Sequence, residues 1–479
     1  MYGPDQADDR GVVCMTFQMY SSYKDAGFVG LDQVPSHWDV LRFKQVFGEV
    51  NERSTTGEEE LLSVSEYYGV KPRSQKIDEG EHLSRAESLE GYKLCDEGDL
   101  VMNIMLAWKR GLGVTNYRGI VSPAYAVFRL VRDDFPFYYH YLLRSNEYIG
   151  YFKTFSSGVI DSRLRLYPEV FGRLTAIVPP LNEQTQIARF LDHETAKIDG
   201  LIREQERLIG LLQEKRQAVI SHAVTKGLKP DVPMKDSGVE WLGRVPAHWT
   251  SSSIKRFCSL VKDGTHLPPP RVSEGIPLLS VRNIVGGEFV RRSDDSKISE
   301  NDYVALCRSF TPQQRDVLLA IVGATLGKTA IISDAMGHFH IQRSLALFRA
   351  DASKLNPHWL HWVFQSAGFQ SLLWEYAGFS AQPGIYLGTL ASFKIPVPPI
   401  KEQIEINEWI GRQIDPMNTL IKEAESAVLL MKERRSSLIS AAVTGKIDIR
   451  NWQPPADSMV LNEGASELGV EETAAGRKV

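Results

Sequence analysis

The chain has 479 residues, 43% of them hydrophobic and 24% charged, with a formal net charge of −4. That length can bury more than one core. The lack of an apolar run of about 18 residues argues against a membrane-spanning helix, and four scattered cysteines without CxxC spacing argue against a zinc site or a disulfide framework. Nothing resembles a signal peptide, so the expectation is a soluble, cytoplasmic protein with reduced thiols. The charge sits at the ends: residues 451–479 carry five acids against Arg477 and Lys478, and residues 1–10 carry three against Arg10. The body is therefore near neutral, and contact with a polyanion must come from local basic clusters.

In chain order, residues 1–18 are expected to be a disordered extension, with Met15 or Met19 as alternative starts. A tag, Val34-Pro-Ser-His-Trp38, then opens a first variable segment that alternates short β-rich runs (Leu61 to Val64, Asp99 to Met105, Ala124 to Leu130) with turns bearing Gly, Pro and Asn. Residues 178–229 differ in kind. Pro179-Pro180 marks a helix start and Gly227 its stop. Taking steps of four and three from Ile187 places Ile187, Leu191, Ile198, Leu201, Leu208, Leu212 and Val219 on one stripe, the 3.5-residue spacing of a coiled coil.

The chain then repeats itself. A second tag, Val245-Pro-Ala-His-Trp249, lies 211 positions after the first and opens a second β-rich segment (Pro277 to Val281, Asp316 to Val322, Ser344 to Phe348). Residues 397–447 match 178–228 at an offset of 219 without a gap, from Pro-Pro-x-x-Glu-Gln to Ala-Val-Thr, within a second long helix at 397–448. Their stripe holds Ile406, Ile410, Met417, Leu420, Met431 and Leu438. Between tag and ladder the halves share only faint elements at offset 217, such as Asp99 and Asp316. Residues 449–479, rich in Ala, Glu, Gly and Ser, are expected to be a disordered acidic tail. Internal repetition thus sets the organisation: domains at 19–177 and 230–396 (with a linker at 230–249), each followed by a long helix. Two equal rods are expected to pair antiparallel about a pseudo-twofold axis. The polar seam positions Glu194, Gln205, Lys215, His222 and Arg434 either fix register or meet partner subunits.

Catalytic signatures are missing. Gly323-Ala-Thr-Leu-Gly-Lys-Thr329 has three residues between its glycines where a phosphate loop needs four, and a β-rich run follows it, so a tight turn is expected. Gly111-Leu-Gly113 lacks the third glycine of a dinucleotide site. The histidines show no metal-ligand spacing, and His37 and His248 within the tags read as packing or capping residues. No Asn-Pro-Pro-aromatic string for a flipped adenine is found.

Together the paired tags, the two PPxxEQ helix starts and the Ala-Val-Thr helix ends resemble the specificity subunits of type I restriction-modification systems. So do Gly98-Asp-Leu-Val-Met-Asn103, Asp263-Gly-Thr-His266 and Gly275-Ile-Pro-Leu-Leu-Ser280. The resemblance spans residues 23 to about 450. It implies an α+β fold with two target-recognition domains, each reading half of a bipartite double-stranded DNA target, and paired helices acting as a ruler and as a docking surface for modification and restriction subunits. It further implies that this chain has no catalysis or cofactor of its own; S-adenosylmethionine, ATP and Mg would belong to the partners. The alternatives are a protein-only coiled-coil scaffold and a self-contained DNA-modifying enzyme. Basic and amide side chains beside turns are the candidates for DNA contact. In the first domain they are Lys71, Arg73, Lys76, Lys109, Arg110, Arg163 and Arg165. In the second they are Lys262, Thr265, His266, Arg271, Arg282, Asn283, Lys328, Gln342 and Arg343.

Overall fold

The computed structural model describes residues 17–75, 88–160, 163–377 and 383–454. The chain divides into two compact units, one from residues up to Glu204 together with those from Ala427 on, the other Gln205–Ser426.

In the first unit β1 (Tyr23–Phe28) and β2 (Leu31–Pro35) form a hairpin that ends in the tag. β3 (Asp39–Arg42) runs through the one-turn α1 (Phe43–Val46) into β4 (Phe47–Val50). β5 (Leu62–Ser65) and β6 (Gly69–Pro72) make a second hairpin. β7 (Lys93–Cys95), β8 (Leu100–Asn103), β9 (Leu112–Val114), β10 (Gly119–Val121) and β11 (Tyr125–Leu130) follow, and β4-β11-β8-β9 form the main antiparallel sheet. α2 (Pro136–Leu143), α3 (Asn146–Phe155) and α4 (Pro168–Arg173) cover it, and β12 (Thr175–Val178) pairs with β3 before the long α5 (Leu181–Lys226). The core is aromatic: Trp38, Phe43, Tyr138, Tyr148, Phe152 and Phe171 are fully buried, with Phe43 and Phe171 stacked at 4.5 Å.

The second unit repeats this plan. β13 (Met234–Asp236) and β14 (Arg244–Pro246) form the tag hairpin, and β15 (Thr250–Ser253) waits for its partner at the far end of the domain. β16 (Cys258–Asp263) opens the main sheet. β17 (Ile276–Leu279), β18 (Ile284–Val285), β19 (Glu288–Phe289) and β20 (Lys297–Ile298) precede α6 (Glu300–Cys307). β21 (Val317–Ala320), β22 (Thr329–Ile331), β23 (His340–Ile341) and β24 (Leu345–Ala350) complete a sheet of order β16-β24-β21-β22-β19-β18 and a smaller one, β20-β17-β23. α7 (Pro357–Gln365), α8 (Ala367–Ala377) and α9 (Leu387–Ser392) lead to β25 (Lys394–Val397), which pairs with β15, and then to α10 (Ile400–Val443). Asp99 and Asp316 have the same task. Each is almost wholly buried, caps the turn before its strand through a backbone N–H (Asp96, Gln313), and holds an arginine of the opposite strand, Arg129 or Arg349, in a two-toothed pair at 2.8–2.9 Å.

The repeated motifs meet at the helix ends. In the first unit Glu183, at the start of α5, accepts from Trp38 Nε1 (2.9 Å) and Tyr20 OH (3.0 Å) and bonds His37 Nε2 at 2.7 Å. Gly445, just past α10, lies against the same tag. Its φ is +71°, and a Cβ there would stand 2.4 Å from Pro35 Cδ, so both backbone and space require glycine. In the second unit Glu402, at the start of α10, bonds His248 at 2.7 Å, and Gly227, just past α5, packs on Trp249 and Pro246. The indole N–H of Trp249 has no acceptor among the described residues. Beside each glutamate a fully buried glutamine bolts the helix start to its domain. Gln184 accepts from Phe135 N and donates to Asp134 and the Pro179 carbonyl; Gln403 accepts from Asn356 N and donates to the Lys354 and Pro398 carbonyls, all at 2.8–2.9 Å.

The halves of the two helices pair antiparallel within each unit. Ile198 and Ile202 pack with Val428, Met431 and Leu438 in the first, and Val219 and Ile220 share a core with Ile406, Ile410 and Ile414 in the second. Of the expected stripe, Ile187, Leu191, Ile198, Ile406, Ile410 and Met417 are buried, and Leu212, Val219, Met431 and Leu438 are half-buried. Leu201, Leu208 and Leu420 are exposed, and their places are taken by Ile202, Ile209 and Ile421. The reason is geometric: a strict 3.5 series drifts by about 20° per heptad around a helix of 3.6 residues per turn, and the observed seam advances by roughly 3.6. The drift also moves the polar positions. Lys215, His222 and Arg434 face outward, and Arg216 and Arg435 occupy the seam, bonded to Asn418 (3.4 Å) and Asp199 (2.9 Å).

Both expected disordered ends reach further into structure than their sequence suggests. Phe17 meets Phe190 edge-on at 5.4 Å, Gln18 bridges Asp448, Ile449 is buried, and Trp452 packs on Phe190. The rest of those ends, with Cys14, lies outside the described residues. Cys95, Cys258 and Cys307 are free thiols, and no described helix is long and apolar enough to cross a membrane.

Two stability changes test this description. Ile202→Ala should cost about 2 kcal/mol of unfolding free energy and Leu201→Ala less than about 0.5, measured by urea denaturation; the opposite ranking would restore the 3.5 seam. Gln403→Leu strands a backbone N–H and two carbonyls and should cost about 3 kcal/mol in the same assay.

Candidate nucleic-acid interface

In each unit one edge of the β-rich domain is laced the same way. The segment after the second surface helix is tied to the turn after a central strand, through Leu166 N to Ile104 O (2.8 Å) in the first unit and Ile385 N to Ile321 O (3.0 Å) in the second. These edges gather most of the predicted cations.

In the first unit Lys109 and Lys153 both stand over the Trp108 ring, at 4.9 and 5.3 Å, while the Trp108 N–H fixes the turn through the Met105 carbonyl. Arg163 and Arg165 are exposed on the laced segment, with Arg165 bridged to Ser157 through the backbone. Arg144, which sequence reading missed, organises the neighbourhood. Its buried fork donates to the carbonyls of Ser65, Glu66, Tyr67, Arg110 and Leu112, locking the β5–β6 hairpin to the turn of Lys109. Burial, then the charge of Arg110, lowers its pKa to about 10. No repeat signal could reveal it, because its counterpart is Gln365. The hairpin displays Tyr67, 89% exposed, and Lys71, whose ammonium lies over Tyr68 at 5.0 Å. Arg73 follows, half-buried. Arg110 is a correction: its left-handed backbone (φ +66°) and bonds to Arg144 O and Asn146 commit it to the scaffold. Lys76 lies outside the described residues.

In the second unit Thr265 bridges Gln342, and Arg343 N donates to Thr265 O (3.2 Å), bringing Lys262, Thr265, His266, Gln342 and Arg343 together. His266 Nε2 bonds Asp263 at 2.7 Å. Lys328 is exposed in the tight turn between β21 and β22, where the left-handed backbone of Gly327 (φ +89°) favours glycine. Arg271 is exposed beyond the Pro268-Pro269-Pro270 run. Three candidates are corrected. Asn283 is fully buried, and its amide caps a turn and bonds Val290 O and Asp295. Arg282 is neutralised by Asp294 and Asp295. The Gln342 amide is engaged by Leu278 O at 3.2 Å. Sequence reading also missed two exposed tyrosines, Tyr376 (56%) and Tyr386 (86%), which share a cleft of about 560 Å³ with His266 and Arg343. Among the described residues no cluster of His, Cys, Asp or Glu could hold a metal ion.

Behind each edge lies a histidine packed into the domain, the half-buried His140 on α2 and the buried His361 on α7. His361 accepts from Gln365 Nε2 at 2.6 Å, an amide orientation set by Arg216 on Gln365 Oε1. Burial, followed by the charge of Arg144 for His140 and of His358 and Arg216 for His361, lowers both pKa values to about 3. Unfolded imidazole titrates near 6.5. The unfolded state therefore binds more protons between pH 6.5 and 3, and stability falls as pH falls through that window. Replacing both histidines by Gln should flatten the dependence by about 1.4 kcal/mol per pH unit per histidine, read from urea midpoints at pH 7, 6 and 5; an unchanged slope would contradict their neutrality.

Residues 248–429 match the family model described as type I restriction modification DNA specificity domain. The chain is 26% identical over 307 residues to the EcoBI specificity subunit of Escherichia coli, covering 63% of this chain and 64% of that one, just under two thirds of the relative's length. It is 21% identical over 457 residues to the MjaVIII specificity subunit of Methanocaldococcus jannaschii, covering 92% and 99%. A chain in a solved structure of a type I R-M system, described for its complex assembly and conformational transition, superposes with a TM-score of 0.62 at 16% identity over 86% of this chain and 99% of that one, a likeness of fold.

Proposed function

Since the chain belongs to the family of type I restriction-modification specificity subunits, we propose that it supplies the DNA sequence specificity of such a complex. Each unit reads one half of a bipartite double-stranded target, and α5 and α10 set the spacing. The observation that carries this reading is the contrast between what is repeated and what is not. Glutamate, glutamine, tag and terminal glycine recur in both units, while the edge cations, apart from a lysine in each β8–β9 or β21–β22 turn, sit at different scaffold positions. Lysines and arginines over aromatic rings and beside turns suit phosphate positioning with a minority of base contacts.

The chain acts without catalysis of its own. Methyl transfer from S-adenosylmethionine and ATP- and Mg-dependent restriction belong to modification and restriction subunits, which dock along the paired helices. The exposed apolar residues Leu429 and Leu430 in the first unit, and Leu211 in the second, support such docking.

Inserting one heptad into each long helix at matched positions adds roughly 10 Å, or about three base pairs at 3.4 Å per step. The methylated motif in cells carrying the altered chain and its partner subunits should keep both half-sites and gain about three base pairs between them. Altered half-sites with unchanged spacing would refute the ruler.

A further inference from the structure

The cleft of the second unit contains one side chain built for base reading. We propose that Arg343 reads a guanine in the half-site of that unit, an assignment that rests on the DNA-specificity reading above. Its backbone is held from several sides. Arg343 N donates to Thr265 O, Gln342 N donates to Leu279 O (2.9 Å), and the Gln342 amide donates to Leu278 O (3.2 Å). Gly264 is pressed so close that a Cβ would lie 2.3 Å from the Gln342 carbonyl carbon. The guanidinium itself is exposed and has no partner among the described residues. The carboxylate that shares the cleft, Asp263, is already bonded by His266 at 2.7 Å. Three other arginines of this unit are spent: Arg282 on Asp294 and Asp295, Arg291 on the Met336 and His338 carbonyls, Arg349 on Asp316.

A fixed backbone with an unspent planar fork matches the O6 and N7 acceptors of guanine in the major groove. The exposed rings of Tyr376 and Tyr386 beside it offer apolar contact area at low entropic cost. A phosphate contact would not need such a rigid origin. The first unit lacks this device. The position equivalent to Arg343, before β11, is Pro123, and its own laced segment carries Arg165 where the second unit has Gly384. The same scaffold thus sends its arginine from a different loop in each unit, and the two units read different words.

The test uses the full chain assembled with its partner subunits and a set of duplexes in which each base pair of the methylated motif is changed singly. With Arg343→Ala, discrimination at one guanine of one half-site should fall by on the order of 10- to 100-fold, while discrimination across the other half-site is retained, which also reports that the chain is folded. Arg343→Lys should not restore it. Equal weakening on every duplex would make Arg343 a phosphate contact and overturn the proposal, as would unchanged discrimination. If the unaltered complex failed to distinguish its motif from unrelated DNA, the specificity reading itself would fall, and that outcome is visible before any variant is made.

Discussion

Everything in this molecule depends on how the ends of its two long helices are held. Each helix begins with a buried glutamine that spends its whole side-chain amide on its own β-rich domain, and with a glutamate that bonds the tag histidine. The same tag receives the glycine that ends the other helix. Within each unit, then, one long helix starts and the other ends at the same tag. The two ladders match over their length without a gap, in helices of 46 and 44 residues.

That constraint was largely written in the sequence, because a repeat compares the chain with itself and exposes whatever both copies must keep. The tags, the helix starts and the helix ends all stood out, although their mutual contact did not: His37 read as a packing or capping residue, and its partner Glu183 lies 146 positions away. The seam was legible only in part. A series of 3.5-residue steps has the right residues near its origin and slides off them by Leu201 and Leu420, since the helices keep close to 3.6 residues per turn.

The reading surfaces were less legible for a different reason. Sequence shows a cation but not whether it is already paired. Arg282 and Lys328 look alike as sequence, and both are exposed, yet the first is paired with two aspartates and the second forms no ion pair among the described residues. Asn283 carried a local warning, since Ser280 three residues before it forms a capping box with it. Arg144 carried none, because a glutamine fills its place in the other copy. What the two units share is scaffold, and what differs is where the free cations emerge.

The central claim is that two independent readers are held at a fixed separation, and methylation-sensitive sequencing of DNA from cells carrying this chain with its partner subunits tests it most directly. The account predicts one methylated motif made of two short, different half-sites separated by an unspecified spacer of constant length. A continuous motif, or half-sites at variable spacing, would contradict it.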